Sequence, residues 1–117
     1  MAPITRSAFG TLPSGKTVEL VTLSLASGVS AAIITLGASL QSFAVPDARG
    51  RIEDCVLGHD DLHGYLATRG YFGATIGRFG NRIAGGRFTL EGQSHSVPAN
   101  DGPHALHGGP DGFDQHN

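Results

Sequence analysis

The sequence predicts an all-β fold, an antiparallel β-sandwich of short strands and tight turns. Three observations point there. Apolar residues recur at period two in short runs, and each run ends in turn residues before a helical period can establish itself. The 117 residues include 18 glycines and 6 prolines, well above the usual share of about 12% for these turn formers. Charged residues make up 15%, against about 25% in an average domain, which suits a β-rich chain better than a helical bundle or a disordered tail. At this length the chain is one domain or part of one, and the whole of residues 1–117 is read as a single unit.

The first strand pair surrounds Pro13-Ser14-Gly15, turn residues between two extended runs. Residues 17–25 then alternate, with Val21, Leu23 and Leu25 on one face and Val18 and Leu20 on the other, until Gly28 breaks the run. Residues 29–36 are small, β-branched and apolar, as in a buried strand. Gly37 interrupts the pattern, which predicts a bulge or a close backbone approach, and residues 38–45 resume it. After the turn Pro46-Asp47-Ala48-Arg49-Gly50, a short strand follows from Ile52. Residues 58–70 read as a loop or a single helical turn. Residues 87–97 form the clearest hairpin, around Glu91-Gly92. From Asn100 onward the density of glycine and proline predicts loop. No closing strand follows, so the sandwich is expected to be incomplete in this chain.

The formal net charge is −2, which provides no electrostatic footprint for nucleic acid or an anionic membrane. No apolar run approaches the roughly 20 residues needed to span a bilayer. The first residues lack the apolar centre of a secretory leader. With the single thiol of Cys55, this predicts a cytoplasmic location. One cysteine also excludes an internal disulfide framework and a cysteine-built zinc site.

The residues able to carry chemistry are histidines, arginines and an amide. His59 and His63 have the spacing of the zinc motif H-E-x-x-H, but Asp60 stands in place of the glutamate, and both read as solvated loop residues. His104 and His107 could share a zinc ion if Asp101 or Asp111 supplied a third ligand. Gly73, Gly77 and Gly80 match neither phosphate-loop pattern. Arg78, Asn81 and Arg82 lie within five residues of one another; guanidinium forks and amides suit hydroxyl-rich ligands, and equally suit anchoring loops to carbonyls. Leu106-His107-Gly108-Gly109 sets an imidazole beside two residues without side chains, accessible for proton transfer or hydrogen bonding.

Taken in order, Tyr71-Phe-Gly-Ala-Thr-Ile-Gly-Arg-Phe-Gly-Asn-Arg-Ile-Ala-Gly-Gly-Arg-Phe88, Asn100-Asp-Gly-Pro103 and Leu106-His-Gly-Gly-Pro-Asp-Gly-Phe113 resemble the aldose 1-epimerase (galactose mutarotase) family. Leu57-Gly-His-Asp-Asp-Leu-His-Gly-Tyr65 fits the same family. The resemblance runs from about Phe9 to the end and covers the N-terminal part of a family domain. It implies a galactose mutarotase-like supersandwich with an open cleft for a small-molecule aldose, and no metal or organic cofactor. It assigns substrate binding to Asn81, Arg82 and His107, with His107 also catalytic, and leaves Arg78 as structural. It also implies that the general acid, a second histidine, and the general base, a glutamate, lie downstream of this chain. The isolated chain is therefore expected to be weakly active or inactive. A sandwich cut part-way exposes strand edges and an apolar face, so self-association is expected.

Overall fold

Five strands form one antiparallel sheet in simple sequence order: β1 (Ile4–Thr11), β2 (Thr17–Ser24), β3 (Ser30–Ile34), β4 (Ser39–Pro46) and β5 (Ile52–Asp54). This computed structural model describes residues 3–117; Met1 and Ala2, the first two residues of the segment read for a leader, lie outside the described residues. The connections are short because each turn carries its own chemistry. Gly15 donates to the Leu12 carbonyl at 2.8 Å, closing the predicted first turn. In the turn after β4, the Asp47 carboxylate accepts from the backbone of Arg49 and Arg51, pre-forming the loop.

Alternation sorts the sheet into two unequal faces. On one, Val18, Leu20 and Ile34 meet Leu36 and Leu62, with Phe9, Leu12 and Tyr65 packed around them. Leu62 comes from α1 (Leu62–Ala67), whose first turn is capped by the Asp61 carboxylate accepting from Gly64 N–H at 2.9 Å. Gly10, next to an irregularity in β1, gives Leu62 room, since a Cβ there would lie 2.7 Å from its side chain. On the other face Ile4, Leu23, Ala31 and Phe43 form one row across four strands. Ile4 is 60% exposed and Leu23 and Phe43 over a third exposed. The radius of gyration is 17.4 Å, against about 13 Å for a compact domain of this length. Only one face of the sheet therefore has a core over it.

Ile34 is fully buried at the centre of that core. Ile34→Ala is expected to cost about 2–3 kcal/mol, since so small a core can partly collapse around the cavity. Chemical denaturation with unchanged m-value checks this.

The second half of the chain is built from ribbons. β6 (Arg82–Ile83) pairs with β9 (Ala105–Leu106), and β7 (Arg87–Leu90) with β8 (Gln93–Ser96). The β7–β8 hairpin turns at Glu91 and Gly92 with φ of 51° and 77°, as expected for a two-residue turn of this type. Strand β9 corrects the expectation of loop from Asn100 onward. A two-residue ladder is too short to show a period, so composition alone reads it as irregular. Gly37 does interrupt the third strand run, at a 3-10 turn over Leu36–Ala38 that lies against the Asp114 backbone.

Candidate functional site

The site is organised by the short β6–β9 ladder, in which Arg82 faces Leu106 and Ile83 faces Ala105. Just outside it, the His107 N–H donates to the Asn81 carbonyl at 3.0 Å, and the Asn81 N–H donates to His107 Nδ1 at 2.9 Å. Two residues far apart in sequence are thereby locked in both directions. With Nδ1 engaged as an acceptor, a neutral imidazole carries its proton on Nε2. Both residues adopt left-handed backbone, Asn81 at φ 63° and His107 at φ 52°, a conformation uncommon outside glycine that persists only where the surroundings impose it.

Asn100 stands in for a missing neighbouring strand. Its side chain accepts from Leu106 N–H at 2.7 Å and donates to the Leu106 carbonyl at 3.0 Å, which engages both backbone groups of Leu106. Arg82 is held by Asp101, with Nε donating at 2.7 Å, while another of its nitrogens lies 3.4 Å from Asn81 Oδ1. His104 Nδ1 accepts from Gly85 N–H at 3.0 Å and fixes the loop after β6.

Thus the structure brings Asn81, Arg82 and His107 into one hydrogen-bonded group. Asn81 and Arg82 line an open cleft of about 820 Å³, together with Arg78, Phe79, Phe88 and Phe113. His107 itself is not among the residues that line the cleft, although it is bonded to Asn81 and the next residue, Gly108, forms part of the wall. Arg78 lies over the Phe113 ring at 5.5 Å from its centroid. The exposed phenylalanine faces give the cleft apolar surface beside its arginines and its amide.

Gly108 sits at φ 92°, and a Cβ there would run into the Gly77 carbonyl oxygen. Gly108→Ala is expected to lower stability by at least about 2 kcal/mol. Gly102→Ala, at φ 55° in open space, should cost only the backbone strain, about 1 kcal/mol. Comparing the two melting temperatures checks this.

On the far side of His107 lies Tyr71, its ring 4.9 Å away in edge-to-face contact. The Arg69 guanidinium lies 5.2 Å from the centroid of the Tyr71 ring. Arg69 also grips Asp114 with two hydrogen bonds of 2.7 and 2.8 Å and donates to the Gly109 carbonyl at 2.9 Å. Asp114 is buried. Burial opposes its ionisation, but the hydrogen bonds from Arg69 and Gln115 outweigh that and hold its carboxyl below the usual range. Hydrogen bonding to Asp114 raises Arg69 above its ordinary value.

One reading from the sequence, that of His59, is corrected. Among the described residues no three of His, Cys, Asp and Glu gather as a metal site. The Nδ1 atoms of His104 and His107 each accept a backbone N–H, so they fix loops and do not converge on a zinc ion with Asp101 or Asp111. His59 is half-buried and not a free loop residue: its ring packs against Tyr65, at 5.0 Å, and Phe72, at 5.4 Å. His63 is exposed on α1, as expected. Sequence reasoning missed Asn100 and Asp101 as supports, although both lie in the motif Asn100-Asp-Gly-Pro103. It gave Tyr71, Arg69 and Asp114 no role. Only Tyr71 and Asp114 belong to, or directly follow, a recognisable motif.

A sequence profile of aldose 1-epimerase matches residues 19–115. The chain belongs to the aldose 1-epimerase family. It is 46% identical to the galactose mutarotase of Bos taurus over 116 residues, covering 98% of this chain and 34% of that protein. It is 35% identical to the aldose 1-epimerase of Escherichia coli K12, covering 88% of this chain and 30% of that one. The crystal structure of galactose 1-epimerase from Lactobacillus acidophilus superposes with a TM-score of 0.81 at 25% identity, over 99% of this chain and 33% of that one. The chain thus spans about a third of the length of the relatives it matches. The expected antiparallel mutarotase-like architecture is the observed one. Among the described residues no helix is long and apolar enough to cross a membrane.

Proposed function

We propose that this chain supplies the sugar-holding part of an aldose 1-epimerase, an isomerase that interconverts the α and β anomers of free aldoses such as galactose and glucose. The observation that carries the reading is the two-way lock between Asn81 and His107, with Arg82 hydrogen-bonded beside them at the cleft. An amide, a guanidinium and an imidazole with a free Nε2–H are the donors and acceptors a pyranose needs for simultaneous recognition of several hydroxyls.

Anomers exchange by opening the hemiacetal ring, rotating about C1–C2 and closing again. Opening requires a proton delivered to the ring oxygen and another removed from the anomeric hydroxyl. A positioned acid or base contributes typically about 10²–10⁴-fold. In this reading Arg82 and His107 stabilise negative charge developing on oxygen. Asn81 keeps the open-chain aldehyde in register while it rotates. The family's glutamate base and second histidine are assigned to the region of the relatives beyond the part this chain matches. The chain alone is therefore expected to be weakly active or inactive.

The uncovered row Ile4, Leu23, Ala31 and Phe43 and the free edges of β1 and β5 invite association between copies.

Polarimetry of freshly dissolved α-D-galactose tests the reading. The isolated chain is expected to change the mutarotation rate by less than about tenfold over buffer, because the family's acid and base are assigned to a part of the relatives that this chain does not match. A strong enhancement lost in His107→Ala would overturn the assignment of acid and base to another part of the protein.

A further inference from the structure

Three non-glycine residues in left-handed backbone meet at one place: Tyr71 at φ 57°, Asn81 at φ 63° and His107 at φ 52°. Backbone in this region costs about 1–3 kcal/mol per residue and persists where surrounding contacts over-determine it. The hydrogen bonds described above account for Asn81 and His107. Tyr71 has no part in the β6–β9 ladder. Its ring instead meets the imidazole edge-to-face at 4.9 Å. Its hydroxyl lies 3.4 Å from the Asn100 side chain that brackets β9. Behind it stands Arg69, at 5.2 Å from the ring centroid. That guanidinium is anchored on buried Asp114 and also bonds the carbonyl of Gly109, two residues past His107.

We propose that Tyr71 is a positioning residue for the His107 imidazole, and that Arg69, clamped on Asp114, holds both the phenol ring and the loop that carries His107. The proposal rests on the reading of His107 as a sugar-contacting group. The backbone hydrogen bond from Asn81 fixes one ring nitrogen of His107 but leaves the ring free to pivot about that bond. An aromatic edge against the imidazole removes the pivot, so that Nε2–H keeps one direction without being consumed by a protein acceptor. Arg69 acts on both sides of the hinge. Its plane backs Tyr71, and its bond to Gly109 stops the Gly108-Gly109 segment from swinging the histidine away. A planar fork is needed for this, because a single ammonium cannot pair with a carboxylate, bond a carbonyl and cover a ring together.

The test uses the full chain with ¹⁵N-labelled histidine, reading the tautomer of His107 from long-range ¹H–¹⁵N correlations, alongside titration with D-galactose. The wild-type imidazole is expected as a single Nε2–H tautomer. Tyr71→Phe, which keeps the ring, should reproduce the wild-type spectrum and hold galactose affinity within about twofold. Tyr71→Leu should shift the His107 nitrogens toward averaged values and weaken galactose roughly 2- to 10-fold. Arg69→Lys should shift the nitrogens in the same direction. A Tyr71→Leu protein with the wild-type His107 tautomer overturns the positioning role, as does a Tyr71→Phe protein that loses it. If the imidazole responds to Tyr71 as described while galactose fails to bind the wild type, the positioning stands and the sugar-binding reading falls.

Discussion

Replacing Arg82 with alanine is expected to weaken D-galactose binding roughly 10- to 100-fold, since a hydrogen bond from a charged donor contributes about 1.5–3 kcal/mol. The fold should barely notice. Arg82 pairs with Asp101 at 2.7 Å, but the two side chains are 53% and 39% exposed. Such a pair contributes at most about 1 kcal/mol to stability. Affinity and melting temperature should therefore part company, which calorimetric titration beside a thermal melt measures. Arg82→Lys keeps the charge but loses the planar fork, so an intermediate loss is expected. A fall in affinity that merely tracks a fall in stability would mean that Arg82 holds the ladder and does not hold the sugar.

The largest stability effect is expected from Arg69→Ala. It leaves the Asp114 carboxylate buried without its partner, at a cost of about 3 kcal/mol, the low end for buried pairs because Arg69 keeps some contact with water. The pair also sets the response to acid. The folded-state pKa of Asp114 is lowered, so its stabilisation is present above the unfolded value of about 3.9 and is lost as pH falls through the lower folded value. Asp114→Asn should therefore be less stable than wild type at neutral pH, and the difference should shrink as pH falls below the unfolded value of about 3.9. Urea midpoints across pH 2–7 measure this, and a constant gap between the two proteins would contradict it.

The sheet was legible in the sequence because most of its strands are long enough to show alternation. The run from Thr17 and the turn at Pro13-Ser14-Gly15 announce β1 and β2, and Glu91-Gly92 announces the β7–β8 hairpin. Asn81, Arg82 and His107 could be singled out because they fall in motifs that resemble a known family. What binds them together could not be read. The β6–β9 ladder spans two residues on each side and carries no period. Asn100 supports it through a side chain that imitates a strand, which no hydrophobic pattern reports. The left-handed backbone of Tyr71 is imposed by tertiary contacts, since tyrosine does not favour it on its own. Arg69 reaches Asp114 across 45 positions, a distance at which local reasoning is blind. His59 was misread for a similar reason: Tyr65, on α1, and Phe72, beyond it, come against its ring only in the fold.

One measurement bears on the whole account: a crystal structure of this chain grown with saturating D-galactose. A single pyranose is expected in the cleft beside β6, with its hydroxyls within hydrogen-bond distance of the Asn81 amide, the Arg82 guanidinium and His107 Nε2. A sugar bound elsewhere, or seated in that cleft while touching none of these three groups, would contradict the claim that they form one carbohydrate site.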